Sequence, residues 1–378
     1  MSGLFVHDHK FPKDSNGCYY YSYGFDKEFF GRYINIFNDL SVIGREVECN
    51  EATEEKVEKD IDFLTIKNLK SLKRKFIRKL IDNKILEADY VVIRLPSILG
   101  MYVARRAEKL KKPYLIEVVG CYWDGIIYKG KTKLPQAAII TYLMKKTIKK
   151  ANYVVYVTEN FLQKRYPTNG KTINCSNVTL KDVRDEDITK RLNLIDDNKN
   201  NKKILGTCAT IDVIYKGQAD VLKAISILKK EGIMVEYQLV GGGSTTYLKQ
   251  IAEQLGVLDQ INFIGTLKHD EVFKWLEEID LYVHPSKQEG LSRAIIEAMS
   301  KGCPIFGADA GGIHEQIDEE FIFEKGNIES IISIFKEFSI ETMKNQAIRN
   351  HNESRKYIKS TLYKKRNDFF NKFILENK

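Results

Sequence analysis

The stretch that decides the fold runs from residue 281 to residue 297 and reads Leu281-Tyr-Val-His-Pro-Ser-Lys-Gln-Glu-Gly-Leu-Ser-Arg-Ala-Ile-Ile-Glu297. It opens on an apolar run typical of a buried strand, and helical spacing follows a few residues later. Gly290 permits a tight turn, Ser292 can cap a helix, and Gly302 with Pro304 can end it. The stretch therefore predicts a strand, a short loop and a helix, which is the repeating unit of a parallel α/β sheet.

The loop and helix start of this stretch are a candidate binding site. Backbone N–H groups at Leu291 and Ser292, beside Gly290, are predicted to point at a phosphate, and the helix dipole favours negative charge there. Glu297 can accept from both hydroxyls of a ribose, and Glu289 can accept from hydroxyls of a transferred sugar. Two glutamates at this spacing would by themselves indicate only a solvated helix face, so the neighbouring motifs decide between the two interpretations.

Further out, the second half of the chain alternates short β-rich runs with helical patterns, which is typical of a wound parallel sheet. In one predicted helix, four apolar residues form a stripe that faces a core: Val221, Ala224, Ile225 and Leu228. The predicted strands lie near Leu205 and at Val235 to Val240, Ile261 to Ile264, Leu281 to His284 and Pro304 to Phe306. The predicted helices lie at Asp220 to Lys230, Thr246 to Leu255, Glu271 to Glu278 and Ser292 to Lys301.

The first half repeats this alternation. Strands are predicted at Gly3 to His9, Tyr90 to Pro96, Tyr114 to Gly120 and Tyr153 to Thr158, and helices through Phe29, Tyr33, Phe37 and Leu40 and at Ala137 to Ala151. Residues 181–203 turn polar and predict a linker. We therefore expect an α/β fold of two facing, Rossmann-like, doubly wound domains, residues 1–180 and 204–354, with an interdomain cleft. The C-terminal helix, residues 355–378, is expected to pack back on the first domain.

The second half of the chain carries five short motifs, most of them beside predicted strands. They are Lys216-Gly217, Leu239-Val-Gly-Gly-Gly243, Ile261-Asn-Phe-Ile-Gly265, the Glu289-x7-Glu297 pair and Ala310-Gly-Gly-Ile313. In these motifs the chain resembles family 4 of the retaining glycosyltransferases, strongly over residues 204–325 and weakly over the first half. The resemblance implies the two-domain GT-B fold and transfer of a sugar from a nucleotide diphosphate sugar, as in the synthesis of bacterial surface polysaccharides. A UDP-sugar is the favoured donor, with a GDP-sugar as the alternative.

The resemblance also carries over to individual residues of the second domain. Lys216 corresponds to the family's phosphate-binding lysine, set against the β-phosphate where negative charge grows as the glycosyl bond breaks. The family usually has an arginine about six residues earlier, whereas this chain has Thr210. Gly241 and Gly243 are expected to let the chain pass close to the nucleotide. Backbone groups of Thr266 and Leu267 are expected to hold the base.

Three residues of the first half are candidates for contacts with the reacting sugars. In the family, the loop after the first strand carries a glycine that approaches the donor diphosphate, and Gly24 is the candidate here. His7, at the predicted end of the first strand, is a candidate for orienting an acceptor hydroxyl or shuttling a proton, and an ordinary structural hydrogen bond is the equal alternative. Asp124 follows another predicted strand, where the family commonly has a histidine near the reacting sugar, and is a candidate catalytic residue.

Neither a cofactor nor an obligatory metal is predicted, and the nucleotide sugar is a substrate. The Asp60-Ile-Asp62 and Asp185-Glu-Asp187 segments have the pattern of a metal-bridged diphosphate site, but we assign the first to a charged helical stretch and the second to the linker. Leaving-group stabilisation is then expected from Lys216 and the helix start. Same-face substitution is expected for the retaining reaction, because Glu289 is better explained as a sugar ligand than as a nucleophile.

Positive charge is concentrated in the first half of the chain. Residues 1–177 contain 31 Lys and Arg against 20 Asp and Glu, whereas the remainder contains 29 against 31. The segment Lys67 to Lys84 interleaves cations with large apolar residues, which predicts either a helix on an anionic membrane or a surface helix whose apolar side faces the core. We expect a peripheral enzyme at the inner face of the cell membrane, acting on a lipid-linked saccharide in capsule, O-antigen or exopolysaccharide synthesis.

Several other classes of protein fit the sequence less well. The sequence has neither a signal-peptide pattern nor a long apolar stretch, which predicts a cytoplasmic protein, and its six scattered cysteines predict reduced thiols. Nucleotide-sugar epimerases of the same fold lack the Glu-x7-Glu pattern with its lysine partner. A non-catalytic sugar-nucleotide-binding protein is the remaining alternative, and only a transfer assay distinguishes it. Nucleic-acid binding is disfavoured because the positive charge lies beside no recognisable reader motif.

Overall fold

The computed structural model describes residues 1–22, 24–49, 55–57, 60–127, 133–197 and 202–378. These residues form two compact units. The first contains residues 1–177 together with 363–378, and the second contains residues 178–362. Each unit is built on its own sheet, and every pairing between neighbouring strands within the described residues is parallel.

The first unit has a seven-stranded sheet in the order β3-β2-β1-β4-β5-β6-β7, counted over the described residues. Its strands are β1 Ser2–Lys13, β2 Asp39–Glu48, β3 Ile61–Ile66, β4 Tyr90–Leu95, β5 Tyr114–Val118, β6 Tyr153–Tyr156 and β7 Lys171–Asn174. Its helices before the crossing into the second unit are α1 Lys27–Ile34, α2 Lys75–Glu87, α3 Ile98–Lys109, α4 Tyr122–Ile127, α5 Leu134–Lys150 and α6 Phe161–Arg165.

Crossover handedness decides which sheet face each helix covers. The α1 crossover runs from β1 outward to β2, whereas the α2 crossover returns past β1 to β4, so right-handed connections place α1 and α2 on opposite faces. The helices α2, α3 and α5 pack side by side in one layer. Helix α1 is capped by Asp26, which accepts from the Phe29 N–H, and buries Phe29, Phe30 and Tyr33 against the other face.

The second unit has a six-stranded sheet in the order β10-β9-β8-β11-β12-β13, again within the described residues. Its strands are β8 Lys202–Cys208, β9 Met234–Val240, β10 Ile261–Gly265, β11 Leu281–His284, β12 Ile305–Ala308 and β13 Ile322–Phe323. Its helices are α7 Asp185–Asp197, α8 Gln218–Lys230, α9 Thr246–Gln254, α10 His269–Glu278, α11 Arg293–Ser300, α12 Ile328–Lys336 and α13 Ile340–Ser354. The predicted stripe on α8 lies in the core: Val221, Ala224, Ile225 and Leu228 are all buried.

A final helix, α14 Lys359–Leu375, carries residues 363–378 back into the first unit. Phe370 is fully buried there and lies 6.3 Å, between ring centroids, from both Tyr33 and Phe37. Phe373 packs edge-on against Tyr90 at the start of β4. The C-terminal segment therefore completes the apolar layer on the α1 face of the first sheet.

The polar stretch that predicted a linker over residues 181–203 contains helix α7 instead, while residues 198–201 lie outside the described residues. Asp187 and Arg191 of this helix are buried. Asp187 pairs with the Lys301 ammonium at 2.9 Å, and the Arg191 guanidinium donates to the carbonyl oxygen of Ile279 at 2.5 Å. The helix belongs to the second unit because its polar residues find partners inside it.

The first strand does not end at His9 as predicted, because β1 continues to Lys13 through a shift of register with β2 between Val6 and Lys10. The predicted helix through Phe29 and Tyr33 ends at Ile34, and Leu40 lies in β2. The stretch containing Asp62 is strand β3 rather than a charged helix. Strands β2 and β3 were not predicted because they carry polar and partly exposed residues, which weakens the hydrophobic pattern that marks a strand.

The basic segment Lys67 to Lys84 is not one helix. A short 3₁₀ turn at Leu69–Lys73 stops at Arg74, whose backbone is extended, and α2 starts at Lys75. Helix α2 turns Ile81 and Ile85 into the core. Phe76 is 68% exposed. Within residues 67–84 only Ile81 is buried, and the other apolar residues are half-buried or exposed, so both interpretations of the segment stay predictions.

None of the described helices is both long enough and apolar enough to cross a bilayer. The six cysteines are free thiols, of which Cys121, Cys175 and Cys303 are buried.

Candidate active site

The loops that follow the strands of the second unit meet at one edge of its sheet. Because all described strands of this sheet are parallel, their carboxyl ends lie at the same edge. The loops after β8, β9, β10 and β11 carry Lys216, Gly241, Thr266 and Glu289 respectively, and the loop after β12 carries Gly311. The topology therefore gathers five of the sequence motifs on one edge.

Glu289 lies at the centre of this arrangement. Its Oε1 accepts from the Lys216 ammonium at 2.7 Å and lies 3.2 Å from Nε2 of His284. Burial would raise the pKa of Glu289, but the hydrogen bond and charge of His284 and those of Lys216 outweigh it and lower this pKa to about 2. Among the described residues, both contacts fall on Oε1, which leaves Oε2 of an ionised carboxylate for a ligand.

The backbone around Lys216 and Glu289 depends on two glycines. Gly217 has a φ of +78°, and a Cβ built there would overlap the carbonyl oxygen of Pro285. Gly311 has a φ of +57°, and a Cβ there would overlap the carbonyl oxygen of Glu289. Both positions combine a left-handed backbone with a close approach, so they exclude any side chain. The lysine and the glutamate are held on loops that pack directly against neighbouring backbone.

The start of α11 is fixed by a side chain from the loop after β12. Ser292 caps the helix by accepting from the Ile295 N–H at 3.4 Å. The buried Gln316 accepts from the Ser292 N–H at 3.0 Å and donates to the Ser292 carbonyl oxygen at 2.9 Å. The prediction that the Ser292 N–H points at a phosphate is therefore wrong, because Gln316 already occupies it. The contact predicted for the Leu291 N–H stays a prediction.

Glu297 lies within α11 and is 6% exposed. Its Oε1 is 3.2 Å from Nε2 of His269 at the start of α10, and this hydrogen bond raises the pKa of His269. The Cys208 thiol connects Glu297 electrostatically with the lysine. Burial raises the pKa of Cys208 to about 12, the charge of Glu297 raises it too, and that of Lys216 lowers it. Of the three residues predicted as one site, Lys216 and Glu289 are in direct contact, and Glu297 follows on helix α11 of the same unit.

The two glycines after β9 approach the protein's own chain. A Cβ on Gly241 would overlap the carbonyl oxygen of Ala209, and one on Gly243 would lie 2.5 Å from a carboxylate oxygen of Asp212. Close approach is therefore required here for packing the β9 loop onto the β8 loop. The predicted contact of Gly241 and Gly243 with a nucleotide stays a prediction.

The remaining predicted donor contacts lie on the same edge. Thr210 is exposed, and its carbonyl oxygen accepts from Nε2 of Gln218 at 3.1 Å. Thr266 is exposed beside Gly242, whereas the side chain of Leu267 packs on the core. Thr210 and Thr266 can therefore present polar groups to a ligand. Leu267 has no polar side-chain group, so its predicted contact with the base is through its backbone.

His7 lies in the first unit at the irregular part of β1. Burial and the charges of Arg94, His9 and Arg45 lower the pKa of His7 to about 3, so the ring is neutral at physiological pH. Its Nδ1 accepts from the His9 N–H at 3.1 Å, which places the ring proton on Nε2. A neutral ring in this tautomer can donate a hydrogen bond to an acceptor oxygen. It has no free ring nitrogen to take a proton, which favours the orienting role over the shuttle.

Asp124 and Gly24 also belong to the first unit. Asp124 lies on α4, and its Oδ1 accepts from a guanidinium nitrogen of Arg165 at 3.0 Å. This ion pair occupies one oxygen of the carboxylate that was predicted to act near the reacting sugar. Gly24 has a φ of +77°. A Cβ there would meet none of the described atoms within 4 Å.

With this geometry in place, similarity to known proteins assigns the family. The family profile described as "Glycosyl transferases group 1" matches residues 194–355. Protein CapJ of Staphylococcus aureus is 33% identical over 342 residues, which cover 87% of this chain and 84% of CapJ. The chain belongs to the group 1 glycosyltransferases. The Glu289, Glu297 and Lys216 cluster lies inside the matched residues of this glycosyltransferase.

Solved structures support the fold of this glycosyltransferase. HepE of Anabaena, solved in complex with UDP, is 15% identical with a TM-score of 0.69, covering 98% of this chain and 100% of HepE. The lipopolysaccharide outer core galactosyltransferase WaaB is 14% identical with a TM-score of 0.65, covering all of both chains. At such identity the likeness concerns the fold alone. The prediction of two Rossmann-like α/β domains of the GT-B type is confirmed.

Three residues of this glycosyltransferase's site were not predicted from the sequence. His284 and His269 contact the two glutamates, and Gln316 holds the helix start. The signal for His284 was a polar residue closing an otherwise apolar strand, immediately before the loop. His269 and Gln316 lie 28 and 24 residues from their partners, and neither is marked by a local pattern.

Proposed function

We propose that this group 1 glycosyltransferase is a retaining enzyme of the family 4 type, with the Glu289-x7-Glu297 pair as its donor-binding motif. The donor is a nucleotide diphosphate sugar, with UDP favoured over GDP. The acceptor is a saccharide linked to a lipid. The observation that carries this proposal is the contact of Lys216 with Glu289 at the sheet edge where α11, the helix that contains Glu297, begins.

Each charged group of this cluster has a distinct role in the proposal. Lys216 faces the β-phosphate, and its ammonium has protons to spare beyond the one it donates to Glu289. Glu289 accepts from a hydroxyl of the transferred sugar through Oε2. Glu297 accepts from the ribose hydroxyls, which compete with His269 for its carboxylate. Lys216 and the N-terminus of α11 together stabilise the negative charge that grows on the leaving diphosphate.

The reaction follows same-face substitution. The bond between the anomeric carbon and the β-phosphate oxygen breaks, and the bond to the acceptor oxygen forms on the same face of the sugar. The acceptor hydroxyl gives its proton to an oxygen of the leaving diphosphate, so the enzyme needs no covalent intermediate and no obligatory metal. Both hydrogen bonds from the described residues engage Glu289 in its ionised form, which suits a sugar ligand.

Known relatives support the donor and the acceptor classes. HepE binds UDP, and WaaB is a galactosyltransferase of the lipopolysaccharide outer core. By analogy of fold, this enzyme would use a UDP-sugar and extend a lipid-linked saccharide in capsule, O-antigen or exopolysaccharide synthesis. The basic first half of the chain would hold the enzyme at the inner face of the cell membrane, against anionic lipid.

The direct test is a thermal-shift screen of the purified protein against UDP, GDP, ADP and TDP. Because a ligand that binds only the folded state stabilises it, one diphosphate should raise the melting temperature, and we expect UDP. Glu297→Ala should abolish that shift while leaving the unliganded protein folded. Glu278→Ala, an exposed glutamate on α10, is the matched control. If none of the four diphosphates shifts the melting temperature, the proposed donor class is wrong.

A further inference from the structure

A groove of about 720 Å³ lies between α3 and α5 of the first unit, and none of its described lining residues belongs to the candidate active site. Met101, Tyr102 and Leu143 supply apolar and aromatic lining. Four cations also line it, namely Arg105, Lys109, Lys146 and Lys150, all of which are exposed, whereas Glu108 is the single carboxylate among its described lining residues. Apolar walls with a cationic rim fit a molecule that has an acyl chain and an anionic head.

Helix α5 continues this groove onto an exposed apolar face. Ile139, Tyr142 and Leu143 are 62%, 65% and 44% exposed, and their spacing of three and four residues puts them on one side of the helix. The opposite side of α5 buries Ala137, Ile140, Met144 and Ile148 in the core. This helix is therefore apolar on both sides along its first half, which an ordinary surface helix is not.

The second half of α5 is strongly basic. Lys145, Lys146, Lys149 and Lys150 are all exposed, and the helix contains no Asp or Glu. Lys150 pairs with Glu108 at 2.7 Å, but both side chains are about half exposed, so this pair neutralises little. Exposed apolar residues followed by a cluster of lysines match the two zones of a membrane surface, the acyl boundary and the anionic headgroups.

The neighbouring α2 belongs to the same layer. Since α2 packs on α3 and α3 packs on α5, the exposed Phe76 and the basic residues around it lie on the same side of the first sheet as α5. Helices α1 and α14 cover the other side, where Tyr33 meets Phe370. The exposed Phe76 of α2 and the exposed apolar residues and lysines of α5 thus lie in one helix layer of the first unit.

We propose that this face binds an anionic lipid bilayer, with Ile139, Tyr142 and Leu143 entering the acyl boundary and the groove between α3 and α5 taking one lipid. The lysines of α5 and the cationic rim contact the lipid phosphates. The proposal deepens the membrane part of the proposed function, on which it rests, and moves the contact from the segment 67–84 alone to α5. Aliphatic residues at its centre favour lipid over nucleic acid, which would need stacking groups or base readers.

The test is co-sedimentation of the full-length protein with vesicles of phosphatidylcholine alone or with added phosphatidylglycerol. The wild type should bind only the anionic vesicles, and less at high salt. Lys146→Gln with Lys149→Gln should weaken binding roughly 30-fold, at about fivefold for each lysine. Ile139→Ser with Leu143→Ser should weaken it at least about tenfold.

Matched controls come from surfaces that the proposal leaves out of the contact. Lys364→Gln with Lys372→Gln removes two exposed lysines from α14, on the other side of the same sheet. Ile340→Ser removes a residue of the second unit that is 53% exposed. Both controls should bind vesicles like the wild type. Equal loss in the controls, or unchanged binding in the α5 variants, would overturn the proposal.

A second measurement does not depend on disruptive substitutions. Tyr142→Trp should give a blue-shifted emission with anionic vesicles and quenching by brominated lipid, measured as the difference from the wild type. Tyr247→Trp on α9 should give neither effect. Displacement from vesicles by millimolar inorganic phosphate would show a free-anion site, and a dimer that the Ile139 and Leu143 changes dissolve would show a self-association face. Either result refutes lipid binding by this face.

Failure here and failure of the proposed function are distinguishable. The α5 variants should keep the full thermal shift with UDP, because α5 belongs to the first unit and the proposed nucleotide cluster belongs to the second. A protein that shifts with UDP but ignores anionic vesicles refutes the membrane face and leaves the transferase proposal intact. A protein that binds vesicles through α5 but shows no thermal shift with any nucleotide refutes the proposed donor class and leaves the membrane face intact.

Discussion

Lys216 approaches Glu289 from the loop after β8 and His284 approaches it from the end of β11, and both reach the same carboxylate oxygen. Hydrogen bonds to a charged group contribute about 1.5–3 kcal/mol, more than those between neutral groups. His284 is 2% exposed, and nothing in the mechanism requires it to touch the substrate. We therefore regard His284 as a positioning residue, which fixes Oε1 so that Oε2 faces the donor sugar.

His284→Ala should lower kcat about 10- to 100-fold, which corresponds to the loss of one hydrogen bond to the Glu289 carboxylate. The affinity for UDP, which lacks the sugar, should change less than about threefold. Because the pKa of Glu289 would rise from about 2 towards its ordinary value, the acid limb of the pH profile of kcat/KM should move to higher pH. Steady-state kinetics across pH and calorimetric titration with UDP provide these measurements.

The conservative His284→Gln replacement keeps a donor near the position of Nε2 and should recover most of the activity. If alanine and glutamine lower kcat equally, or if UDP binding falls in step with kcat, His284 acts through general stability rather than through Glu289.

Two segments, α11 and the loop after β12, act as one element at the helix start. Gln316 is 1% exposed, and its side-chain amide bonds to both backbone groups of Ser292. This side chain supplies the hydrogen bonds that the backbone of Ser292 lacks before the helix begins. It thereby orients the first turn of α11, the helix that contains Glu297.

Gln316→Ala should lower the free energy of unfolding by about 1–3 kcal/mol, because it leaves the buried Ser292 N–H without its partner, while the Ser292 carbonyl oxygen keeps only the Ile296 N–H. Urea denaturation followed by circular dichroism measures this loss. The control is Gln254→Ala on the exposed side of α9, which should stay within about 0.5 kcal/mol of the wild type. An equally stable Gln316→Ala protein would show that the helix start does not depend on this residue.

For the molecule as a whole, the chain crosses from the first unit to the second and returns with its last sixteen residues, 363–378. The returning helix buries Phe369, Phe370, Phe373 and Ile374 in the first unit. Each fully buried side chain of this kind contributes roughly 1.5–3 kcal/mol, so together they match the marginal stability of a domain. The second unit has its own core and contains the whole Lys216, Glu289 and Glu297 cluster.

Deletion of residues 363–378 should therefore unfold the first unit and leave the second folded. Limited proteolysis should degrade the first unit and leave a resistant fragment that starts near Val178, and that fragment should still be stabilised by UDP in a thermal-shift experiment. Removal of only Asn377 and Lys378 is the control and should preserve both units. A truncated protein that melts in one transition at the wild-type temperature would contradict this division of stability.

The sequence alone determined the local units and their order. The strand, loop and helix of residues 281–297 are encoded by an apolar run, a glycine, a serine cap and helical spacing, and all of these act within a few residues. The stripe on α8 followed from periodicity for the same reason. Two wound sheets and the glycosyltransferase family were predictable because their signals are local and recur along the chain.

Only the tertiary structure decided which distant side chains meet. Lys216 and Glu289 are 73 residues apart, and Asp187 and Lys301 are 114 apart, so no local pattern distinguishes the paired polar residues from solvated ones. The predicted linker is a packed helix, the basic segment breaks at Arg74, and Gln316 takes the N–H predicted for phosphate. The physical reason is that burial and pairing of polar groups depend on chain segments that only packing brings together.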